Sequence, residues 1–361
     1  MAGVYISWPF CAQKCTYCNF ASGVFPRELE QQYLDALTRE IRSTIWGWTP
    51  QTVYLGGGTP ASMDSAALDG LLGLIPGRAW AEATIEAAPG AISRDHAQAW
   101  VRSGLNRVSL GVQSFVETEL RRTGRKHTAA NVAQDVAMLR SEGFSEINID
   151  LIAGLPDQTA RGWAASLDQL ESLDVPHVSV YMLEVDEDSR LGKELLLGGV
   201  RYGAMDVPGE QQIVECYEQA VDRLAEMGLH RYEISNFARP GSESLHNLKY
   251  WQLEPYYGFG ADAHSFDGRL RWQNVESPSE YVSTPDPRLS SVEAILAEER
   301  FFVGLRLMRG IQPTPDEWSE HRAVIDQFVA DGLLATDGQT LRLTPRGILL
   351  SNEVFEEFIH A

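Results

Sequence analysis

Val4-Tyr-Ile-Ser-Trp-Pro-Phe-Cys-Ala-Gln-Lys-Cys-Thr-Tyr-Cys18 runs from a short β-rich segment straight into three thiols. Val4–Ser7 reads as a strand, and Leu29, Tyr33, Leu37 and Ile41 then give one apolar stripe at helical spacing. The alternation continues. Val53-Tyr-Leu runs into Gly56-Gly-Gly, and Leu68, Leu71, Leu72 and Ile75 mark the next helix. Thr84-Ile-Glu is a third strand, with a helix beginning near Ser93, and Arg107-Val-Ser-Leu-Gly-Val-Gln is a fourth, with a helix starting near Thr128. Ile147-Asn-Ile-Asp-Leu-Ile is a fifth and Val178-Ser-Val-Tyr-Met-Leu a sixth. Six strand–helix units joined by mostly short connections predict a parallel α/β construction. Period alone fits a barrel, a partial barrel or an open doubly wound sheet equally well.

The polar positions add a direction. Gly56–Gly58, Glu86, Gln113, Asp150 and the region of Met182 all fall at or near the C-terminal ends of the predicted strands. Parallel β/α barrels gather their sites on that face. Five strands ending in such features favour one shared site.

The bulk composition bounds the rest. A chain of 361 residues suits one large domain and a smaller one. Hydrophobic residues at 44% and charged residues at 22% are those of a globular protein with a sizeable core. Thirty basic against 50 acidic residues give a formal charge of −20, a field that repels polyanions and argues against nucleic acid as a partner. No stretch reads as a signal peptide or approaches the roughly 20 apolar residues of a membrane span. A soluble, cytoplasmic protein is expected, with peripheral membrane association left open.

After about residue 200 the alternation stops. A helix near Gln211–Met227 leads into Arg231-Tyr-Glu-Ile-Ser-Asn-Phe, a Gly/Pro/His/aromatic-rich stretch over 239–267 and a Ser/Pro linker over 277–287. A helical segment near 292–308 follows. Val324–Ala330 (helix), Leu341–Leu343 (strand) and Gly347–Phe358 (helix) then suggest a small winged-helix-like module, and the acidic charge argues against its binding DNA.

Of four cysteines, Cys216 lies on an amphipathic helical pattern and reads as packing. Cys11, Cys15 and Cys18 have three and then two residues between them. Such spacing lets one loop present three thiolates to three irons of a cubane and leaves the fourth iron open to a small molecule. A structural zinc site is the competing reading, but zinc wants four protein ligands and no histidine lies between Ala2 and Ala91.

The run from Tyr5 to Cys18 resembles the signature of radical S-adenosylmethionine (SAM) enzymes, and Gly56-Gly-Gly-Thr-Pro resembles that family's glycine motif. The resemblance implies a [4Fe–4S] cluster on Cys11, Cys15 and Cys18. Its open iron would chelate the amino and carboxylate groups of SAM, whose reductive cleavage gives a 5′-deoxyadenosyl radical. Ile85-Glu-Ala-Ala-Pro-Gly, Arg107–Phe115, Gly124-Arg-Lys-His and Ile149-Asp-Leu-Ile-Ala-Gly-Leu-Pro narrow it to one branch. That branch contains oxygen-independent coproporphyrinogen III oxidase and the HemW-type heme chaperones. Carried over, Tyr5, Tyr17, Gly57, Gly58, Thr59, Glu86, Gln113, Arg125 and Asp150 line the SAM site. The expected fold is a radical SAM partial (β/α)6 barrel over 1–210, a branch-specific extension over 211–285, and a mostly helical, winged-helix-like domain over 286–361.

Three features resemble the chaperones rather than the oxidase. Asn19-Phe20 follows the triad where the oxidase carries another cysteine, no N-terminal extension precedes the first strand, and His246-Asn-Leu-Lys-Tyr-Trp251 resembles the chaperones' His-Asn-x-x-Tyr-Trp motif. By that resemblance His246 is a heme-binding residue, histidine being a common axial ligand. His264, in Gly260-Ala-Asp-Ala-His-Ser, matches a branch motif without an assigned role. Ser7 departs from the pattern, since many relatives have histidine there. A heme chaperone carrying the cluster and SAM is therefore expected. Its partners would be heme or porphyrin, a recipient hemoprotein and an electron donor such as flavodoxin or ferredoxin. The alternative is radical SAM oxidative decarboxylation of coproporphyrinogen III.

Overall fold

In the computed structural model, which describes residues 2–359, the six expected strands form and lie parallel in chain order. They are β1 (Gly3–Trp8), β2 (Thr52–Gly57), β3 (Glu82–Ala87), β4 (Arg107–Gln113), β5 (Glu146–Ala153) and β6 (His177–Met182). The ends of the expected 1–210 and 286–361 segments, at residues 1, 360 and 361, lie outside the described residues.

Each strand has two characters because successive side chains point to opposite faces. Val4, Ile6, Val53, Leu55, Ala83, Ile85, Val108, Leu110, Ile147, Ile149, Val178 and Val180 are buried in the common core. The alternate positions are polar and face one another in register: Tyr5 opposite Tyr54, Tyr54 opposite Thr84, Glu86 opposite Ser109, and Asp150 opposite Ser179. The crossover helices are α1 (Arg27–Ser43), α2 (Ser65–Leu72), α3 (Arg94–Arg102), α4 (Glu117–Arg122), α5 (Ala129–Ser141) and α6 (Ala160–Leu173). Their starts carry local signals: Asp64 accepts from Ala66 N–H and Ala67 N–H, and Thr128 forms a capping box with Asn131.

The sheet is larger than the sequence pattern suggests. Its order is β12-β11-β10-β9-β1-β2-β3-β4-β5-β6-β8-β7. The added strands are β7 (His230–Arg231), β8 (Asn236–Ala238), β9 (Tyr256–Phe259), β10 (His264–Phe266), β11 (Leu270–Gln273) and β12 (Val292–Glu293). β9 pairs parallel with β1, while β8 runs antiparallel to β6. These strands are two to four residues long, too short to show a period of their own.

Between β6 and β9 come α7 (Arg190–Leu196), α8 (Glu210–Glu226) and α9 (Leu245–Trp251), the last carrying the His-Asn-x-x-Tyr-Trp residues. The C-terminal region is mostly helical, with two short strands, β13 (Leu334–Thr336) and β14 (Leu341–Leu343), paired antiparallel. The segment expected as helix near 292–308 begins instead as β12, then forms a helix only over Leu296–Phe302 and one 3-10 turn over Gly304–Arg306. The C-terminal region is fastened to the barrel by Arg306, which pairs with the fully buried Glu233 at 3.2 Å and lies 4.4 Å above the Trp251 ring.

Candidate functional site

The cysteine loop leaves the C-terminal end of β1 and is held at its root and from three other segments. At its root, Cys11 N–H donates to Gly23 O at 2.8 Å and Gly23 N–H to Pro9 O at 2.8 Å. From β2, Gly58 N–H donates to Trp8 O at 2.8 Å and Thr59 N–H to Phe10 O at 2.9 Å. From the segment after α4, Gln13 Nε2 donates to Gly124 O at 2.6 Å, and Thr16 N–H to Thr123 O at 3.3 Å. Beyond β6, Leu191 N–H donates to Thr16 O at 2.9 Å and Asn19 Nδ2 to Asp186 at 3.1 Å. A loop of this kind has no regular structure to rigidify it, so these bonds set where the three thiols stand. All three are partly exposed and unpaired by disulfides.

Glycine at position 58 has a definite cause. A Cβ there would lie 2.7 Å from Trp8 O and 2.8 Å from Phe10 O, both backbone atoms at the root of the thiol loop. Gly57, with φ of +100°, takes a conformation costly to other residues. The glycine run thus lets β2 end against the loop with no side chain between them.

Around this mouth stand the other expected residues. Gln113 ends β4 with φ of +69°, the left-handed region that non-glycine residues adopt at a cost, and its Oε1 is buried without a partner. Arg125 donates from Nη1 to Gly111 O at 3.0 Å and from Nη2 to Tyr17 Oη at 3.4 Å, while its buried Nε has no partner. A strained glutamine and a buried guanidinium, each with an orphaned polar atom, fit a polar ligand that supplies the missing partners. Nearby, His127 bonds Val112 O at 3.1 Å, and burial followed by the Arg125 charge lowers its pKa to about 4.

One layer deeper, Glu86 and Asp150 share the barrel interior. Tyr54 Oη donates to Glu86 Oε1 at 2.9 Å. Burial, and secondarily the Asp150 charge, raise the Glu86 carboxyl to about 7, against the opposing bonds from Tyr54 and Gly57 N–H. Asp150 accepts from Asn148 Nδ2 at 2.8 Å and Ser109 Oγ at 3.2 Å, and burial raises it too. The Tyr5 phenol is raised by burial and by Glu86, so it stays protonated. Tyr54 is the residue sequence reasoning missed. Its signal was present, since Thr52, Tyr54 and Gly56 are the non-aliphatic alternate positions of β2.

One expected residue lies elsewhere. His246 sits at the opposite, N-terminal end of the barrel. It is 1% exposed, with Nδ1 bonded to Thr52 Oγ1 at 2.9 Å and Nε2 to Tyr250 Oη at 2.8 Å. Burial lowers its pKa to about 3, so the ring is neutral. Thr52 opens β2 and Gly57 closes it, so His246 lies at the N-terminal end of that strand and the glycine run at its C-terminal end. His264, to which the sequence assigned no role, is exposed at the start of β10.

Cys216 is buried in α8, its thiol pushed up to about 11 by burial. Among the described residues no three His, Cys, Asp or Glu side chains are gathered around one metal-ion position. Among the same residues no helix is long and apolar enough to cross a membrane.

Comparison with known proteins adds the following. Residues 5–170 match the Radical SAM superfamily and residues 295–350 the HemN C-terminal domain. The heme chaperone HemW of Lactococcus lactis is 33% identical over 371 residues, covering 98% of this chain and 96% of that protein. The heme chaperone HemW of Bacillus subtilis is 34% identical over 384 residues, covering 99% of each, and that of Escherichia coli is 30% identical over 379. Among solved structures, coproporphyrinogen III oxidase (HemN) from Escherichia coli, a radical SAM enzyme, superposes with a TM-score of 0.84 at 23% identity. The match covers 99% of this chain and 89% of that one. At that identity the likeness concerns the fold.

Proposed function

The chain belongs to the HemW family of the radical SAM superfamily, and on that premise we propose that it is a heme-binding chaperone that delivers heme to recipient hemoproteins. The observation that carries this reading is similarity to proteins named heme chaperone HemW along the whole chain, from the thiol loop to the C-terminal region. In this reading Cys11, Cys15 and Cys18 hold a [4Fe–4S] cluster, and Tyr5, Tyr17, Gly57, Gly58, Thr59, Glu86, Gln113, Arg125 and Asp150 surround SAM. A cluster with one iron free of protein ligands, and SAM bound to it, would supply one-electron chemistry, with a flavodoxin or ferredoxin as donor.

The chain's own groups have separable tasks. Gly58 keeps β2 in contact with the root of the thiol loop. Arg125, anchored on Gly111 O and Tyr17, offers its free Nε–H to an anionic group, where a guanidinium fork suits a carboxylate. The strained backbone of Gln113 aims an unpaired amide oxygen for a donor. Glu86 and Asp150, both raised and adjacent, gain most from a cationic or hydroxyl partner that lets them share less repulsion. Coordination of heme iron by His246 would require one of its two hydrogen bonds to break and α9 to lift from the barrel.

Anaerobic hemin titration of the cluster-reconstituted protein, with His246→Ala alongside, tests the proposal. Saturable binding supports the chaperone reading, and weaker binding by the variant places His246 in the heme site. No saturable binding, together with a vinyl product from coproporphyrinogen III, SAM and reductant, would replace it with the oxidase reading.

A further inference from the structure

We propose that His246 is a positioning residue for the SAM site, acting through Tyr54 on Glu86. The inference rests on the SAM site set out above and extends it to the far end of the barrel.

The barrel floor is a fixed platform. Glu82, 4% exposed at the start of β3, accepts from Leu245 N–H at 2.9 Å, His246 N–H at 2.9 Å and Ser244 Oγ at 3.1 Å. Arg107 approaches the same carboxylate at 3.6 Å and donates to Ser242 O at 3.0 Å. These bonds plant the first turn of α9 in the N-terminal mouth of the barrel. The imidazole is then gripped on both edges, by Thr52 Oγ1 from β2 and by Tyr250 Oη one turn along α9. A ring bonded at both nitrogens cannot rotate without losing a buried hydrogen bond.

What this fixed ring presents upward is a face. Tyr54 stacks on it, with ring centroids 5.3 Å apart and planes at 27°, and Tyr5 stacks on Tyr54 in turn at 6.2 Å and 24°. The Tyr54 ring is therefore in contact with both the floor and the residue that opens β1's polar face. Its hydroxyl meets Glu86 Oε1 at 2.9 Å. Gly56 closes the remaining side, since a Cβ there would lie 3.0 Å from both Glu86 Oε1 and the Tyr54 ring. Glu86 is a buried carboxylate beside a second one, so a donor held in one place decides where its charge sits. Without His246 beneath it, Tyr54 can tilt, and the carboxylate loses the bond that aims it.

The test uses the full-length, cluster-reconstituted protein under anaerobic conditions. SAM affinity is measured by equilibrium titration, and the reduced cluster's EPR signal is followed as SAM is added. His246→Ala and Tyr54→Phe are each expected to weaken SAM binding about tenfold at unchanged iron content, and the SAM-induced EPR change to need correspondingly more ligand. The double variant is expected to lose no more than either single one, because both break the same link. His246→Phe, which returns a ring face to Tyr54, is expected to recover affinity to within about threefold. If His246→Ala loses the cluster, Thr52→Val replaces it, removing only the Nδ1 bond, with an expected loss of about threefold. Equal SAM affinity in wild type and the His246 (or Thr52) variant overturns the proposal, as do losses that multiply in the double variant. A wild-type protein with full cluster and no SAM binding overturns the SAM site itself, which no variant comparison could mimic.

Discussion

Changing Glu86 to Gln is expected to flatten the pH dependence of the folded protein's stability between about pH 4.5 and 7. In the folded chain this carboxyl titrates at about 7 against an ordinary 4.5, chiefly because burial disfavours its charge and Asp150 adds repulsion. Between those values the folded protein keeps a proton that the unfolded chain has released. Stability contributed by this group is thus fully present below pH 4.5 and is lost as pH rises through 7. At about 1.4 kcal/mol per pH unit the span is worth about 3 kcal/mol. Coupling to Asp150 spreads part of that over both carboxyls, leaving about 2 kcal/mol or more assignable to Glu86. Glutamine keeps the size and the acceptor for Tyr54 but cannot ionise. Urea unfolding of wild type and variant, prepared identically without SAM, measures the difference at pH 5 and pH 8. The variant's stability should gain on wild type by about 2–3 kcal/mol across that interval. A gap that stays constant to within about 0.5 kcal/mol would refute the claim that burial raises the Glu86 carboxyl. SAM, by favouring the charged form, should bind more tightly as pH rises through 7.

Other consequences are simpler to read. Gly58→Ala should destabilise by about 1–3 kcal/mol and lower bound iron, since its Cβ meets two backbone oxygens of the loop root. Gly70→Ala, in the middle of α2 with nothing within 4 Å, should instead stabilise by about 0.5–1 kcal/mol and leave iron unchanged. Iron analysis should find Cys11→Ala depleted and Cys216→Ala fully loaded, the latter losing only about 1 kcal/mol of packing. Glu82→Ala should cost about 3–5 kcal/mol by chemical denaturation, because it strips the acceptor from Ser244, Leu245, His246 and the buried Arg107.

The polar or glycine-rich ends of β2 to β6 were legible in the sequence because the strands alternate an aliphatic residue with a polar one, and the pleat alone then sorts them to opposite faces. The short strands β9 to β12 were not, for they have too few residues to repeat a pattern and form by pairing with an edge already present. Tyr54 was overlooked for another reason. A tyrosine in a strand is ordinarily a packing residue, and it is the pairing of β2 with β3, Tyr54 opposite Thr84, that sets its hydroxyl beside Glu86 two residues farther along.

His246 marks the boundary between the two kinds of knowledge. The residues around it identify a motif, but a motif does not say which end of a barrel it occupies. That is set by Glu82 and Arg107, some 140 to 160 positions earlier in the chain, whose charges need partners once buried. What the sequence by itself determined is the local chemistry: three thiols on one loop, glycines where backbone must touch backbone, and six strands alternating with helices. What only the tertiary structure decided is which distant side chains share the barrel's dry interior. There burial raises Glu86, neutralises His246 and turns a stack of rings into a link between floor and mouth. Chain position carries no information about desolvation, and desolvation is what gives these groups their properties.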